Sequence, residues 1–243
     1  MMPQSVLRGI EDFRKGKVVL IYDADDRERE TDIAMPAFAV TPRDVAFFRK
    51  FGGGLICVAI HPVAAEKLGL PFISDILRCS AEKFTSLQCL VEDEGDVPYD
   101  RRSSFSLWVN HRNTFTGITD RDRALTIRHI GRAVERVLAG MSYKFCSEFR
   151  TPGHVAILRA ADGLLAERKG QTELSVVLAM LAGVPPAVVI CEMLDEENGK
   201  ALSKAKAESF ANSHKITFLQ GRDIEKAFEM LPPLSSLYNI YLI

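Results

Sequence analysis

Short apolar runs alternate with amphipathic stretches from one end of the 243-residue chain to the other. That rhythm predicts an interleaved α/β or α+β domain. Residues 6–14 read as a short helix, and residues 17–22 (KVVLIY) as a buried strand through their β-branched content. Asp23 to Asp32 reads as a very acidic loop. Thr41-Pro42-Arg43-Asp44 starts a helix: Thr offers an N-cap, proline suits the first helical position, and an acid falls in the first turn. Gly52-Gly53-Gly54 ends it, and residues 55–60 form a strand. Residues 70–103 are the least regular stretch, polar loops that include the acidic run 92–96. Alternation at 104–110 gives a strand, and Thr119-Asp120 caps an amphipathic helix running to about residue 139. Strands at 155–158, 187–193 and 215–219 interleave with helices at 172–181 and 202–212, and Gly221-Arg222-Asp223 leads into a last helix. Interleaving to the end favours one domain over residues 1–243, with an apolar, proline-rich tail at 232–243.

Composition narrows the class. Apolar residues make up 47% and charged residues 26%, the profile of a globular protein with a sizeable core. A net charge of −1 supplies no global field towards nucleic acid or membrane. Short basic pairs such as Arg101-Arg102 are offset by acids and lack interleaved aromatics, which argues against an RNA-binding module. No apolar run approaches the roughly 18–20 residues of a membrane span, and residues 1–17 are too charged for a secretory signal. Five cysteines without a C-x-x-C argue against a disulfide framework and a Cys-rich zinc site, and suit a reduced cytoplasm.

Four segments hold candidate chemistry. The acidic loop places six acids and two arginines in ten residues directly after a buried strand. Clustered carboxylates offer hard oxygen ligands for Mg²⁺ and acid/base groups; a solvated acidic turn has the same composition. Arg27 stands where an EF-hand needs an oxygen ligand, which excludes that loop. In Arg150-Thr151-Pro152-Gly153-His154, Pro-Gly predicts a turn and His154 the start of a strand, placed for proton transfer or for a structural hydrogen bond. Arg168-Lys169-Gly170 precedes Thr172 at a helix start, where free amides and two cations suit a phosphate monoester, although an ordinary basic turn is the plainer reading. Glu192 follows a buried run and faces either a site or solvent. His61, His111, His129 and His214 are scattered, with little support for a multi-histidine zinc site.

Together these segments resemble the 3,4-dihydroxy-2-butanone 4-phosphate synthase family of riboflavin biosynthesis over about residues 4–230. The likeness runs through Asp25-Asp26-Arg27-Glu28-Arg29-Glu30-Thr31-Asp32, Gly53-Gly54-Leu55-Ile56-Cys57, Phe115-Thr116-Gly117-Ile118-Thr119 with Asp122-Arg123, the Arg150–Val155 segment, and Val189-Ile190-Cys191-Glu192. The resemblance implies a three-layer fold, a mixed β-sheet flanked by helices. It implies a homodimeric lyase that converts D-ribulose 5-phosphate to 3,4-dihydroxy-2-butanone 4-phosphate and formate, using Mg²⁺ or Mn²⁺ and no organic cofactor. It implies Glu28 as a metal ligand, Arg27 and Asp32 on substrate, His154 with Glu192 as the catalytic pair, and Cys57 near the site. Arg168, Lys169, Gly170, Gln171 and Thr172 match the phosphate-binding segment. There the family has a His as second metal ligand where this chain has Gln171. An amide oxygen is an acceptable hard ligand, so an adapted active site is expected. The alternative is a weakened or non-catalytic sugar-phosphate binder.

Overall fold

The apolar runs at 19–22, 57–60 and 187–191 form strands buried on both faces. The computed structural model describes residues 2–231, and the tail expected at 232–243 lies outside the described residues. In chain order the elements are α1 (Gln4–Arg14), β1 (Val19–Tyr22), β2 (Thr31–Pro36), α2 (Pro42–Phe51), β3 (Cys57–Ile60), α3 (Pro62–Leu68), α4 (Ile73–Ser80) and β4 (Phe105–His111). They continue with α5 (Asp120–Leu138), α6 (Phe145–Glu148), β5 (Phe149–Arg159), α7 (Gln171–Ala182), β6 (Ala187–Glu192), α8 (Lys204–His214), β7 (Thr217–Gln220) and α9 (Gly221–Phe228). The strands build one mixed seven-stranded sheet in the order β4-β5-β3-β6-β2-β1-β7.

Alternate residues of each strand feed two separate cores, as the period of two requires. Leu20, Ile33, Val58, Ile157 and Val189 pack on one face with Val45 of α2, Ala64 of α3 and Ile127 of α5. Ile21, Ala34, Cys57, Ala156 and Ile190 pack on the other with Phe13 of α1, Val177 of α7 and Ile224 of α9. The result is the expected three-layer arrangement.

Local signals explain several boundaries. Thr41 and Asp44 close a reciprocal capping box on α2, with Pro42 in its first turn. Thr119 caps α5 by accepting from the Asp122 N–H. α7 is buried nearly all round, polar residues included, and so lies deep in its layer.

Three elements differ from expectation. Thr31-Asp32, read as the end of an acidic loop, opens the fully buried strand β2. The irregular stretch and its approach hold two helices, α3 and α4; His61 caps α3 by accepting from Val63 N–H at 3.2 Å. Thr151-Pro152-Gly153 is no turn: it lies within β5, across a register break against β4 and with a cis Thr151–Pro152 bond. Among the described residues no helix is long and apolar enough to cross a membrane.

Candidate active site

Strand register brings the predicted acids together. β2 and β6 run antiparallel with Asp32 opposite Glu192, while Cys57 at the start of β3 pairs with Ile190. Asp32 shares its parity with Ala34, and Glu192 with Ile190, so both lie on the α7 side of the sheet, as Cys57 does. The loop between β1 and β2 adds Glu28 and Glu30, and these five residues line a cavity of about 250 Å³ with Arg168, Gln171 and Thr172.

The electrostatics follow from crowding. Burial, reinforced by Glu192, Glu28 and Glu30, pushes the Asp32 carboxyl well above its usual range. Burial and Glu28 push Glu30 up to about 7. Burial also raises Glu28, against the pull of Arg27. These shifts describe a site short of positive charge, the condition a divalent cation relieves. Glu192 is fixed from the glycine segment: Leu55 N–H donates to its Oε2 at 2.8 Å. Gly54 leaves the room, since a Cβ there would stand 2.2 Å from Glu192 Oε2. Burial raises the Cys57 thiol well above its usual range, which keeps it protonated and a poor nucleophile.

The start of α7 closes one wall. Gln171 Nε2 donates to the carbonyls of Ile21 at 3.0 Å and Glu30 at 3.1 Å. Those two bonds orient the amide, and its buried Oε1 has no partner, like Asp32 Oδ1. An unpartnered buried acceptor is costly in a finished site and useful in one that takes a cation. The donors on offer there are oxygens, which fit Mg²⁺ or Mn²⁺. Arg168 is anchored by Glu173, whose fully buried carboxylate accepts from Nη1 at 2.6 Å. A Cβ on Gly170 would stand 2.3 Å from Arg168 Nη1 and 2.9 Å from Arg27 Nη2, so glycine lets two guanidinium groups converge over the helix start.

Other expected residues fall outside the inner cavity. Arg27 and Lys169 line an adjoining cleft of about 740 Å³, and Lys169 pairs with Glu225 of α9. His154 is exposed and does not line the inner cavity. Its backbone N–H donates to Asn110 Oδ1 at 2.8 Å, and Asn110 Nδ2 lies 3.1 Å from its Nδ1, tying it to β4 instead. Within one chain no hydrogen bond joins His154 to Glu192, which lie on strands either side of β3. Sequence reasoning assigned no role to Tyr99 and Asp100, which line the inner cavity from the irregular stretch, nor to the Glu173 anchor. Nothing in the pattern around 97–103 marks them.

Two of the scattered histidines do meet. His111, His129 and Glu148 put ligand atoms within 4.8 Å of one another. The Asn113 N–H donates to His111 Nδ1 at 3.2 Å, so the neutral ring carries its proton on Nε2, the atom 3.7 Å from Glu148. With that proton in place His111 has no lone pair for a metal, and Glu148 instead clamps two rings, with His129 Nδ1 at 2.9 Å.

The family model described as 3,4-dihydroxy-2-butanone 4-phosphate synthase matches residues 8–227. The 3,4-dihydroxy-2-butanone 4-phosphate synthase of Archaeoglobus fulgidus is 64% identical over 212 residues, 87% of this chain and 89% of that protein. That of Methanosarcina mazei is 56% identical over 225 residues, 93% of this chain and 91% of that protein. A crystal structure of 3,4-dihydroxy-2-butanone 4-phosphate synthase in complex with two magnesium ions superposes with a TM-score of 0.71 at 28% identity, covering 90% of this chain and 94% of that one.

Proposed function

This chain belongs to the 3,4-dihydroxy-2-butanone 4-phosphate synthase family, and from that premise we propose how its inner pocket converts D-ribulose 5-phosphate to 3,4-dihydroxy-2-butanone 4-phosphate and formate, a carbon–carbon lyase step of riboflavin biosynthesis. One observation carries the reading: carboxylates of Glu28, Glu30, Asp32 and Glu192 face the oriented, unpartnered Gln171 oxygen beside Arg168. That is an acid/base and cation end next to an anion end. The weakened-homologue alternative has no such observation behind it, because Gln171 keeps a ligand oxygen in place of the imidazole.

The atoms of the substrate equal those of the two products, so the rearrangement needs no external oxidant or reductant. The reading therefore calls for no organic cofactor. Glu28 and Gln171 would hold the divalent cation, Mg²⁺ or Mn²⁺, which would supply Lewis acidity to the reaction. Arg27 and Arg168 bind the phosphate with Gly170 and the first turn of α7 at Thr172, while Lys169 contributes from the outer cleft. Asp32, whose buried carboxyl is pushed well above its usual range, is placed to donate to substrate oxygen; Glu192, steadied by Leu55, is placed to accept across from it. Cys57 packs beneath them as a thiol.

In this reading His154 serves the pocket of a second copy of the chain. Asn110 holds His154, and Gly117 of the following loop packs on Asn110. That loop presents Phe115, 94% exposed, and Ile118, 51% exposed. Such apolar side chains beside a catalytic candidate suit a homodimer contact that delivers His154 to the partner pocket. Unpaired cysteines and the biosynthetic role fit the cytoplasm. The direct test is formate release from ribulose 5-phosphate with Mg²⁺ and then with EDTA. Formate that appears only with Mg²⁺ supports the reading; none under either condition refutes it.

A further inference from the structure

Asp100 lies on the two arginines that the reading above assigns to the substrate phosphate. Its Oδ2 accepts from Arg168 Nε at 2.8 Å and Nη2 at 2.7 Å, and it also meets Arg27 Nη2. One carboxylate oxygen thus takes three charged donors, the pattern a phosphate oxygen would find. Neither arginine depends on Asp100 for its aim. Arg168 is anchored through Nη1 by Glu173, which is itself held by the Ala161 N–H at 2.9 Å. Arg27 is anchored by Glu28 at 2.9 Å, with Asp23 behind it at 3.8 Å.

The segment that carries Asp100 is lightly held. No residue of 97–102 is buried. It is fixed mainly through Arg102, which donates to Ser74 and Asp75, each at 2.8 Å, and stacks on Phe72 at 3.9 Å, while Ser103 N–H reaches Glu92 at 3.1 Å. Tyr99, 48% exposed, lies over the Arg27 guanidinium. A segment with no buried residue of its own opens at low cost. Tyr99, Asp100 and Arg168 also line all three neighbouring cavities, of about 250, 740 and 800 Å³, so the contact between Asp100 and Arg168 is the partition among them.

We propose that Asp100 is a displaceable internal ligand, a latch that occupies the phosphate subsite until a phosphate monoester replaces it. The proposal rests on the phosphate reading given above. A dianion with three acceptor oxygens exchanges favourably for one carboxylate, whereas a neutral sugar offers the three charged donors only uncharged hydroxyl oxygens. The latch therefore selects the phosphorylated end of the substrate. Displacement swings residues 97–102 off Arg168 and joins the inner cavity to its neighbours.

Inorganic phosphate titrated calorimetrically into the full-length protein tests this, with Asp100→Asn, Asp100→Ala and Arg168→Ala for comparison. A subsite open one-tenth of the time binds about tenfold more weakly than a free one, so both Asp100 variants should bind phosphate about tenfold tighter than wild type. Hydrogen exchange across 97–102 should rise in wild type on saturation with phosphate and already be high in both variants. Equal or weaker phosphate binding by the Asp100 variants would overturn the latch and make Asp100 a positioning residue for the arginines. Arg168→Ala separates the two claims. If it binds phosphate as wild type does, the phosphate reading itself fails and the latch falls with it; if its binding is lost, the comparison at Asp100 decides.

Discussion

Gln171 commits both amide hydrogens to backbone carbonyls, which leaves its oxygen rigid and aimed at the acids of the pocket. Gln171→Ala removes the oxygen and the two hydrogen bonds to the Ile21 and Glu30 carbonyls, of which Glu30 keeps the Asp23 N–H at 3.2 Å. It should cost about 1–3 kcal/mol of stability and shrink the rise in melting temperature that Mg²⁺ produces. A Mg²⁺ shift equal to that of wild type would remove Gln171 from the ligand set. His61 gives a pH prediction. Burial lowers its imidazole from 6.5 to about 4, and its Nδ1 must stay unprotonated to accept from Val63. A folded pKa below the unfolded one means the stabilisation is complete above pH 6.5, fades as pH falls towards 4 and is gone below that. The span corresponds to about 3 kcal/mol. His61→Asn keeps a capping acceptor that does not titrate, so its stability, followed by urea unfolding, should be flatter across that window. At this scale the acids of the loop and the Thr41 cap were legible, because each carries its own chemistry. Asp100 was not: an aspartate in a polar loop shows its partners only once the chain folds.

The register of β5 against β4 rests on a glycine. A Cβ built on Gly153 would lie 2.0 Å from the carbonyl carbon of Val109 and 2.3 Å from Asn110 N, both backbone atoms that cannot step aside. Gly153→Ala must therefore part the two strands, at a cost of about 3 kcal/mol or more, read as a lower urea midpoint with an unchanged slope. Gly54→Ala differs in kind, because its clash is with Glu192 itself, 2.2 Å from Oε2 and 2.8 Å from Cβ with the carbonyl at 3.0 Å, so any relief moves the Glu192 carboxylate. It should depress formate release far more than it depresses the melting temperature. Comparable losses in both would mean Gly54 serves packing alone. Elements with strong periodicity, such as α5, were legible to within a residue or two. β2 was not, because Thr31-Asp32 put a charged residue where a buried strand should read apolar. That acid lies opposite Glu192 among further acids that raise its pKa, so it belongs to a site and not to the core. β5 was cut short for the opposite reason: Pro-Gly usually ends a strand, but here the chain accommodates both at a break in register.

Across the whole molecule, the strand order was beyond any local pattern. β6 is inserted between β3 and β2 by contacts far apart in sequence, and that insertion places Glu192 between Cys57 and Asp32. The same topology leaves His154 on the exposed β4–β5 side, although the resemblance paired it with Glu192. If pockets are completed across a twofold axis, His154 and Glu192 of one chain serve different pockets. His154→Ala and Glu192→Gln would each be inactive as purified dimers. Mixed in equal amounts and allowed to exchange subunits, they form hybrids in which one pocket carries both lesions and the other carries neither. Random exchange then restores about a quarter of wild-type formate release. Phe115→Asp should block that recovery by leaving monomers at sedimentation equilibrium, with an unchanged far-ultraviolet spectrum. No recovery from a mixture shown by mass spectrometry to contain hybrid dimers would place His154 and Glu192 in the same pocket, which would then require the β4–β5 end to fold over its own chain.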